Sequence, residues 1–577
     1  MSNGAQEFLK DGAITLEGGQ DNGRSPSIIQ RNQVAFATNT TFRGGFAAPR
    51  PGLKKRVLNF NQNGALTAAF EGGRFQHAAF YDGNGFPSLM SSHGGRQFKI
   101  DLTTFNVSEI SPMGGYNSSL LRIGWSVQAE NYWIYQDNQS LPIIFDGASS
   151  RRANPANNEI PVGNVMAYVN ARIVVALRDS QSFRAGNLLF GKTGTTADIL
   201  QFDENNYLNE GGDFIARVFG APSGYGPILA MKAISQTNTQ LGQGPLIVFT
   251  PNVAFTVNLP FDRTVWKNLN NALQTVNPIK GFLSQNSTVG INGDIWGRSL
   301  DGIRSYIFSQ RAYNQWANTP MSDEVQPTLN YDTQNLVPFA SAVLFDNRLL
   351  MTISPVPSVH GVWHRGLVSL DFNILSSLPR PLSNPAWEGT WTGLRILQIV
   401  SAMVDFKERC FIYALNDNDN IELWELTTGD RFDNENARIK WTLDFPSYNC
   451  GDSFRFKCLQ LAELFIDQVA GTVKIVSKYK PDQYPCFLPW DTTEVCAKYQ
   501  DCGPDTCSGP VTYREQFRSK IRFHQPADDF DTQNRRRHRT AYEFQPRLEM
   551  EGYCQIKQLR ILAKPEDEVF FAERTQP

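Results

Sequence analysis

The sequence predicts an all-β protein: an irregular β-propeller of about six or seven blades, with an N-terminal arm and a C-terminal β-sandwich-like domain. Three observations carry this. A strand-turn-strand unit recurs along the chain, 45 Gly and 32 Pro punctuate its short apolar runs, and helical periodicity is scarce. A sheet of a few such strands cannot bury both faces alone, so units at this spacing must stack around an axis or as a sandwich.

The first unit is a looser one, about Phe70 to Leu102. Trp125 to Gly147 follows, two apolar runs hinged on a polar turn at Asp137. Val165 to Leu177 then leads through Arg178-Asp179 into Leu188 to Gly191, and Leu246 to Leu259 and Val289 to Phe308 are again looser, the latter with a two-residue turn at Asp301-Gly302. Val343 to Ile353 turns at Asp346-Asn347-Arg348 and continues into Gly366 to Phe372. Val404 to Leu415 turns at Asn416 to Asn420 into Ile421 to Leu426. The best helical patterns are Asp262 to Leu273 and Arg311 to Ala317, while 198–212 and 320–334 read as polar excursions from the blades. Beyond a boundary near residue 445, Phe454 to Asp467 and Gly471 to Tyr479 read as a hairpin around Gln468 to Gly471, with further strands at Gln516 to His524 and Tyr542 to Ala563. The expected domains are 1–60, a basic arm; 61–445, the propeller with inserted loops; and 446–577, a Cys-containing β-rich domain.

A chain of 577 residues with 41% hydrophobic residues can build substantial cores, and its net charge of -2 gives no global attraction to nucleic acid or anionic membrane. No apolar stretch reaches the length of a membrane span, and the first ten residues lack a signal-peptide core, so synthesis and assembly in a cytosol are expected.

Several motifs have a bland explanation beside the chemical one. Gly186 to Thr193 matches the G-x-x-x-x-G-K-[ST] phosphate-loop pattern, but Leu188 to Phe190 reads as a strand and no helix follows, so a strand end is expected. Cys486, Cys496, Cys502 and Cys507 suffice in number for structural zinc but lack paired C-x-x-C spacing; plain thiols are expected, with disulfides formed after release and a metal site as alternatives. His360 and His364 stand four apart without the Glu of a metalloprotease helix, and Asn416 to Asn420 lacks the Gly and Glu of a calcium loop. Arg298 to Gly302 is off register for a sialidase-type Asp box. No nucleophile, base and orienter set stands out, so neither catalysis nor a cofactor is expected.

Two basic segments stand apart. Arg24, Arg31, Arg43, Arg50, Lys54, Lys55 and Arg56 occupy a stretch free of Asp and Glu, and Arg535, Arg536, Arg537 and Arg539 form a denser group. From these, Arg43, Arg50, Lys54, Lys55, Arg56, Arg535, Arg536, Arg537 and Arg539 are the candidates for contact with DNA or with a neighbouring subunit, against solvated loops or an arm packed on its own protein.

The segment Val34 to Arg56, with Asn39 and the Pro51, Gly52, Leu53, Lys55, Arg56 element just before the blades, resembles the packaged-DNA stabilisation and tail-nozzle proteins of short-tailed bacteriophages. The run Phe544 to Ala563 is similar to the closing strands of phage propeller proteins, whereas the Cys-rich loop and the 198–212 insert depart from the pattern. The resemblance implies a structural virion protein of the tail or neck, made in the host bacterial cytoplasm. It would form a homo-oligomeric ring, often a hexamer, that seals or conducts the genome during ejection, touching portal, adaptor or other tail proteins and viral DNA in its lumen. Two alternatives remain: a tail-fibre or baseplate propeller gripping receptors or glycans through exposed aromatics, with Trp363, Trp387, Trp391 and Trp424 as candidates, and a propeller-type glycoside hydrolase.

Overall fold

The computed structural model describes residues 8–188, 200–201, 225–234, 244–259, 273–277, 280–309, 320–373, 386–496, 518–526 and 539–566, except positions 158, 171, 179, 258, 308 and 483. Within them the chain is a β-propeller whose blades are small antiparallel sheets numbered here in chain order. Blade one is Phe75–Tyr81, Ser88–His93, Arg96–Asp101 and Val107–Glu109. Blade two is Trp125–Ala129, Tyr132–Gln136, Ile143–Phe145 and Ser150–Arg152. Blade three is Gly163–Val169, Arg172–Leu177, Phe183–Leu188 and Leu200–Gln201, and blade four Ala230–Ala233, Leu246–Phe249, Ala254–Val257 and Leu273–Asn277. Blade five shows three strands among the described residues, Val289–Ile291, Asp294–Ser299 and Gly302–Ser305.

The last two blades share a strand. Ala386–Val404 pairs through its first half with Gly361–Asp371, completing blade six outside Ala342–Phe345 and Arg348–Ser358. Its second half pairs with Lys407–Leu415 and opens blade seven, which continues through Ile421–Thr427. The outermost strand of blade seven comes from the other end of the chain: Gly52–Arg56 runs antiparallel to Ile421–Thr427, with Leu53 opposite Leu426.

The apolar cores fix the count at seven, because each separates two adjacent blades. Tyr81, Trp133 and Phe145 fill the space between blades one and two, Ile134 and Ile173 between two and three, and Val174 and Phe255 between three and four. Phe249 and Ile295 lie between four and five, Trp296 and Leu349 between five and six, and Leu350 and Ile412 between six and seven. Phe98, Tyr413 and Leu423 pack between seven and one and close the circle. Glutamine side chains clasp neighbouring inner strands as peptide groups would: Gln398 donates to Ala78 O at 2.6 Å and accepts from Ala78 N at 3.0 Å, and Gln285 does the same to Met231.

The runs read as single strands at Trp125 to Asp137 and Val165 to Leu177 each contain a turn, at Glu130 and Asn170, both with φ of +50°. Each expected pair of strands thereby becomes three, and Ser150–Arg152 and Leu200–Gln201 add the fourth. The Asp262 to Leu273 helical pattern lies outside the described residues up to 272, and Leu273 opens a strand instead; Arg311 to Ala317 lies outside altogether. Among the described residues one helix reaches eight residues, Gly64–Glu71, which is capped by Asn63 and buries Phe70 beneath the core of blades seven and one.

The expected C-terminal hairpin is one strand. Lys457–Pro481 continues through Gln468 (φ +46°) and Gly471 (φ +65°), which absorb extra residues as bulges while Phe544–Pro565 runs alongside it throughout. A reversal would have left that partner's backbone groups unpaired. Arg518–Phe523 and Leu488–Cys496 pair with the opposite edge.

The residues expected as an N-terminal arm are built into this module. Leu9–Ala13 pairs with Leu559 to Ala563, Phe36–Thr38 pairs with Thr442 to Asp444 and bridges to Thr390, and Leu16, Val34 and Phe42 share a core with Trp441, Leu464 and Ile556. Strand Lys440–Asp444, just before the expected boundary, already belongs to the module's sheet.

Three buried histidines make the propeller acid-sensitive. Burial lowers His77 to about 3 and His93 and His364 to about 4. One ring nitrogen of each has no partner, so protonation would bury an unsatisfied N–H. The unfolded chain takes up these protons near the ordinary value of about 6.5, and the folded chain only at the lowered values. Stability from this source is therefore unaffected above that pH and falls as pH drops from there towards 4. Unfolding temperature measured across this range should decline, and His93→Gln should flatten the decline.

Candidate functional site

The acid-free stretch from Arg24 to Arg56 finds its counter-charges elsewhere in the same chain. Arg24 lies 3.8 Å from Asp21, and Arg31 pairs with Asp11 at 3.0 Å while lying over the Tyr448 ring. Arg43 grips Asp371 at 2.8 Å and Asp346 at 2.9 Å, in a network where Arg348 also holds Glu388 at 2.8 Å. Lys54 pairs with Glu435, Lys55 with Glu422 at 2.6 Å, and Arg56 with Glu425 at 2.6 Å, where Arg409 is the second partner.

Arg50 is the most enclosed of the group, 2% exposed. Its guanidinium makes a fork to Asp433, at 2.8 and 2.9 Å, and reaches Asn39 Oδ1 at 3.2 Å. Asp433 Oδ1 also accepts from Leu53 N, the entry to the closing strand. Asn39, at φ +55°, spans the join between modules: its amide donates to Lys440 O and Thr392 Oγ1 and its carbonyl accepts from Thr392 N. Asn tolerates this left-handed backbone better than most residues. The residues singled out for outside contact thus form a seam between the propeller's last blades and the N-terminal segment.

Of the second basic group, Arg535, Arg536 and Arg537 lie outside the described residues. Arg539 is half-buried, and its carbonyl accepts from Leu459 N at 2.8 Å.

The four tryptophans divide. Trp387 and Trp391 are core residues, their indoles donating to Met321 O and Thr40 O. Trp363 and Trp424 are half-buried and line one cleft of about 580 Å³ between blades six and seven, with Arg365, Arg395, Asp417 and Glu422. The Arg395 guanidinium sits 5.1 Å from the Trp363 ring centroid and is tied to Asn416 O and Asp419. Trp424 Nε1 donates to Glu422, which is held in turn by Asn416 and Lys55. No spacing rule in the sequence brings Trp363 to Trp424; only the sharing of strand Ala386–Val404 by two blades does.

The remaining motifs resolve simply. Gly186 to Leu188 is strand, and 189–193 lies outside the described residues. Cys410, Cys450, Cys458 and Cys554 are buried free thiols and Cys486 an exposed one, with burial pushing Cys554 up to about 12; Cys502 and Cys507 lie outside the described residues. His360 and His364 belong to a hairpin, His364 fully buried against Ile396 O. Asn416 to Asn420 is a turn closed by Asn416 Oδ1, which accepts from the backbone N–H of Asn418 and of Asn420. Among the described residues no group of three or more His, Cys, Asp or Glu side chains could hold a metal ion, and no helix is long and apolar enough to cross a membrane.

No protein-family model matches the chain, and no curated protein does. Among solved structures the chain is similar to one titled "Crystal Structure of Mitotic Checkpoint Complex", at 8% identity and a TM-score of 0.34, covering 64% of this chain and 100% of that one. It is also similar to "Structure of U3-55K", at 8% identity and a TM-score of 0.35, covering 65% of this chain and 100% of that one.

Asp433→Asn should cost about 2 kcal/mol in denaturant unfolding, less than a fully buried pair because Asp433 is 25% exposed, and should speed hydrogen exchange across 52–56. Replacing Lys54, Lys55 and Arg56 together by Ala should lower the unfolding temperature and leave duplex-DNA affinity at low salt within about twofold of the original, because these cations are already neutralised.

Proposed function

We propose that the chain is a non-catalytic structural protein of a bacteriophage tail or neck, a ring-forming wall that joins tail components and through which the genome is held or passes. The observation that carries this reading is the position of the Asn39 and Pro51-Gly52-Leu53-Lys55-Arg56 element. The residues that resemble those of tail-nozzle proteins are the ones that close the propeller and fasten it to the second module. A ring wall needs stiffness, and one subunit must present different faces to its two neighbours. A closed propeller with a second module clamped to it supplies both.

The self-paired state of Arg43 to Arg56 favours a mechanical role for that segment over a DNA contact. In this proposal genome contact would fall to other residues, with Arg535, Arg536 and Arg537 the remaining basic group from the sequence. Portal, adaptor and other tail proteins are the partners it implies.

Light scattering and negative-stain imaging of the purified chain test the reading. Closed rings, sixfold in the simplest case, are the expected result. Monomers or trimers at concentrations of about 10 μM, well above the dissociation constant of an obligate interface, would count against it.

A further inference from the structure

We propose that the cleft between blades six and seven is a saccharide subsite that takes a pyranose ring against Trp363 and Trp424. A pyranose has an apolar face of C–H bonds and a rim of hydroxyls. The cleft offers the matching pair of surfaces: two half-buried indoles for the face and a ring of planar charged or amide groups for the rim. Its volume of about 580 Å³ suits one or two sugar rings.

Two details separate this cleft from an accidental gap. Both indoles are held in place before any ligand arrives, Trp363 by Arg395 at 5.1 Å and Trp424 by its bond to Glu422 at 3.3 Å, so binding costs little side-chain entropy. Two charged groups are left over: Arg365 and Asp417 are exposed at the cleft and make no ion pair among the described residues, whereas Arg395 and Glu422 are paired with Asp419 and Lys55. A guanidinium and a carboxylate at one rim can each bond two adjacent hydroxyls.

The charges also balance. With Arg395 and Glu422 paired, the cleft is left with one exposed guanidinium, Arg365, and one exposed carboxylate, Asp417, a mixed rim that suits a neutral polyhydroxyl ligand better than a cation or a polyanion.

The test is binding of the full chain to an array of defined pyranose oligosaccharides, followed by tryptophan-fluorescence titration with the strongest binder and with a single-stranded DNA oligonucleotide. Trp363→Ala and Trp424→Ala should each weaken sugar binding about tenfold or more. Arg365→Ala touches no core contact, so it should keep the unfolding temperature and weaken binding about threefold or more. Retention of no pyranoside above a glycerol control overturns the proposal. So does binding unchanged in Arg365→Ala, or binding of the DNA oligonucleotide in preference to every sugar. Oligomeric state is read separately, so failure here leaves the ring proposal standing, and the reverse.

Discussion

The propeller depends on one strand made at the wrong end of the chain. Gly52–Arg56 supplies the outer edge of blade seven, and Leu53 enters the core that separates blades six and seven. Without that strand Ile421–Thr427 would present an open edge, and the last blade would be held only on its inner side. The Arg50–Asp433 fork sits where the strand begins, and Asp433 binds both the guanidinium and Leu53 N. A single carboxylate thereby fixes the direction and the starting register of the closing strand. Asn39 extends the same network to Lys440 and Thr392, coupling ring closure to attachment of the second module.

The two modules are also joined by close backbone approach. Gly389 lies in the strand of blade six nearest the N-terminal segment, at φ +88°, and a Cβ there would come within 2.4 Å of Ala37 O. Only glycine permits Thr38 and Thr390 to bridge as they do. Arg43 adds an electrostatic tie to the same blade through Asp346 and Asp371. Hydrogen bonds, apolar core and buried ion pairs therefore all cross the join. A boundary drawn on the sequence near residue 445 runs through a single core, which residues from both termini build.

What the sequence revealed follows from the range of the interactions involved. Hairpins such as Val343 to Ile353, and Val404 to Leu415 with Ile421 to Leu426, are local, so alternation and Asp or Asn turns suffice to find them. Turns without Gly or paired Asn, at Glu130 and Asn170, passed unseen and hid two strands apiece. Gln468 to Gly471 misled in the opposite sense, since bulges and turns use the same residues and only the partner strand distinguishes them. The charge pattern failed for the longest-range reason. An acid-free stretch looks like a footprint for an acidic partner, and it is one, but for Arg50, Lys54, Lys55 and Arg56 the partners are Asp433, Glu435, Glu422 and Glu425 of the same chain, 367 to 383 residues on. Of the candidate cleft, the aromatic residues were legible in the sequence, but nothing in it separated Trp363 and Trp424 from Trp387 and Trp391, which are core.

The same long range explains why the closing strand is so basic. During synthesis Gly52–Arg56 emerges early and cannot pair until Thr427 has been made, so it waits as an unpaired edge strand. Such a strand is a template for misassociation, and positive charges along it are the usual safeguard. Lys54, Lys55 and Arg56 place such charges along it, and in the folded chain Glu435, Glu422 and Glu425 pair with them. One set of charges thus discourages the wrong pairing and selects the right one. The order of events is also fixed, because the carboxylates that accept the strand exist only once the last blade has been built. Blade seven and the attached module are also completed together, because the segment that closes the one is hydrogen-bonded to the other.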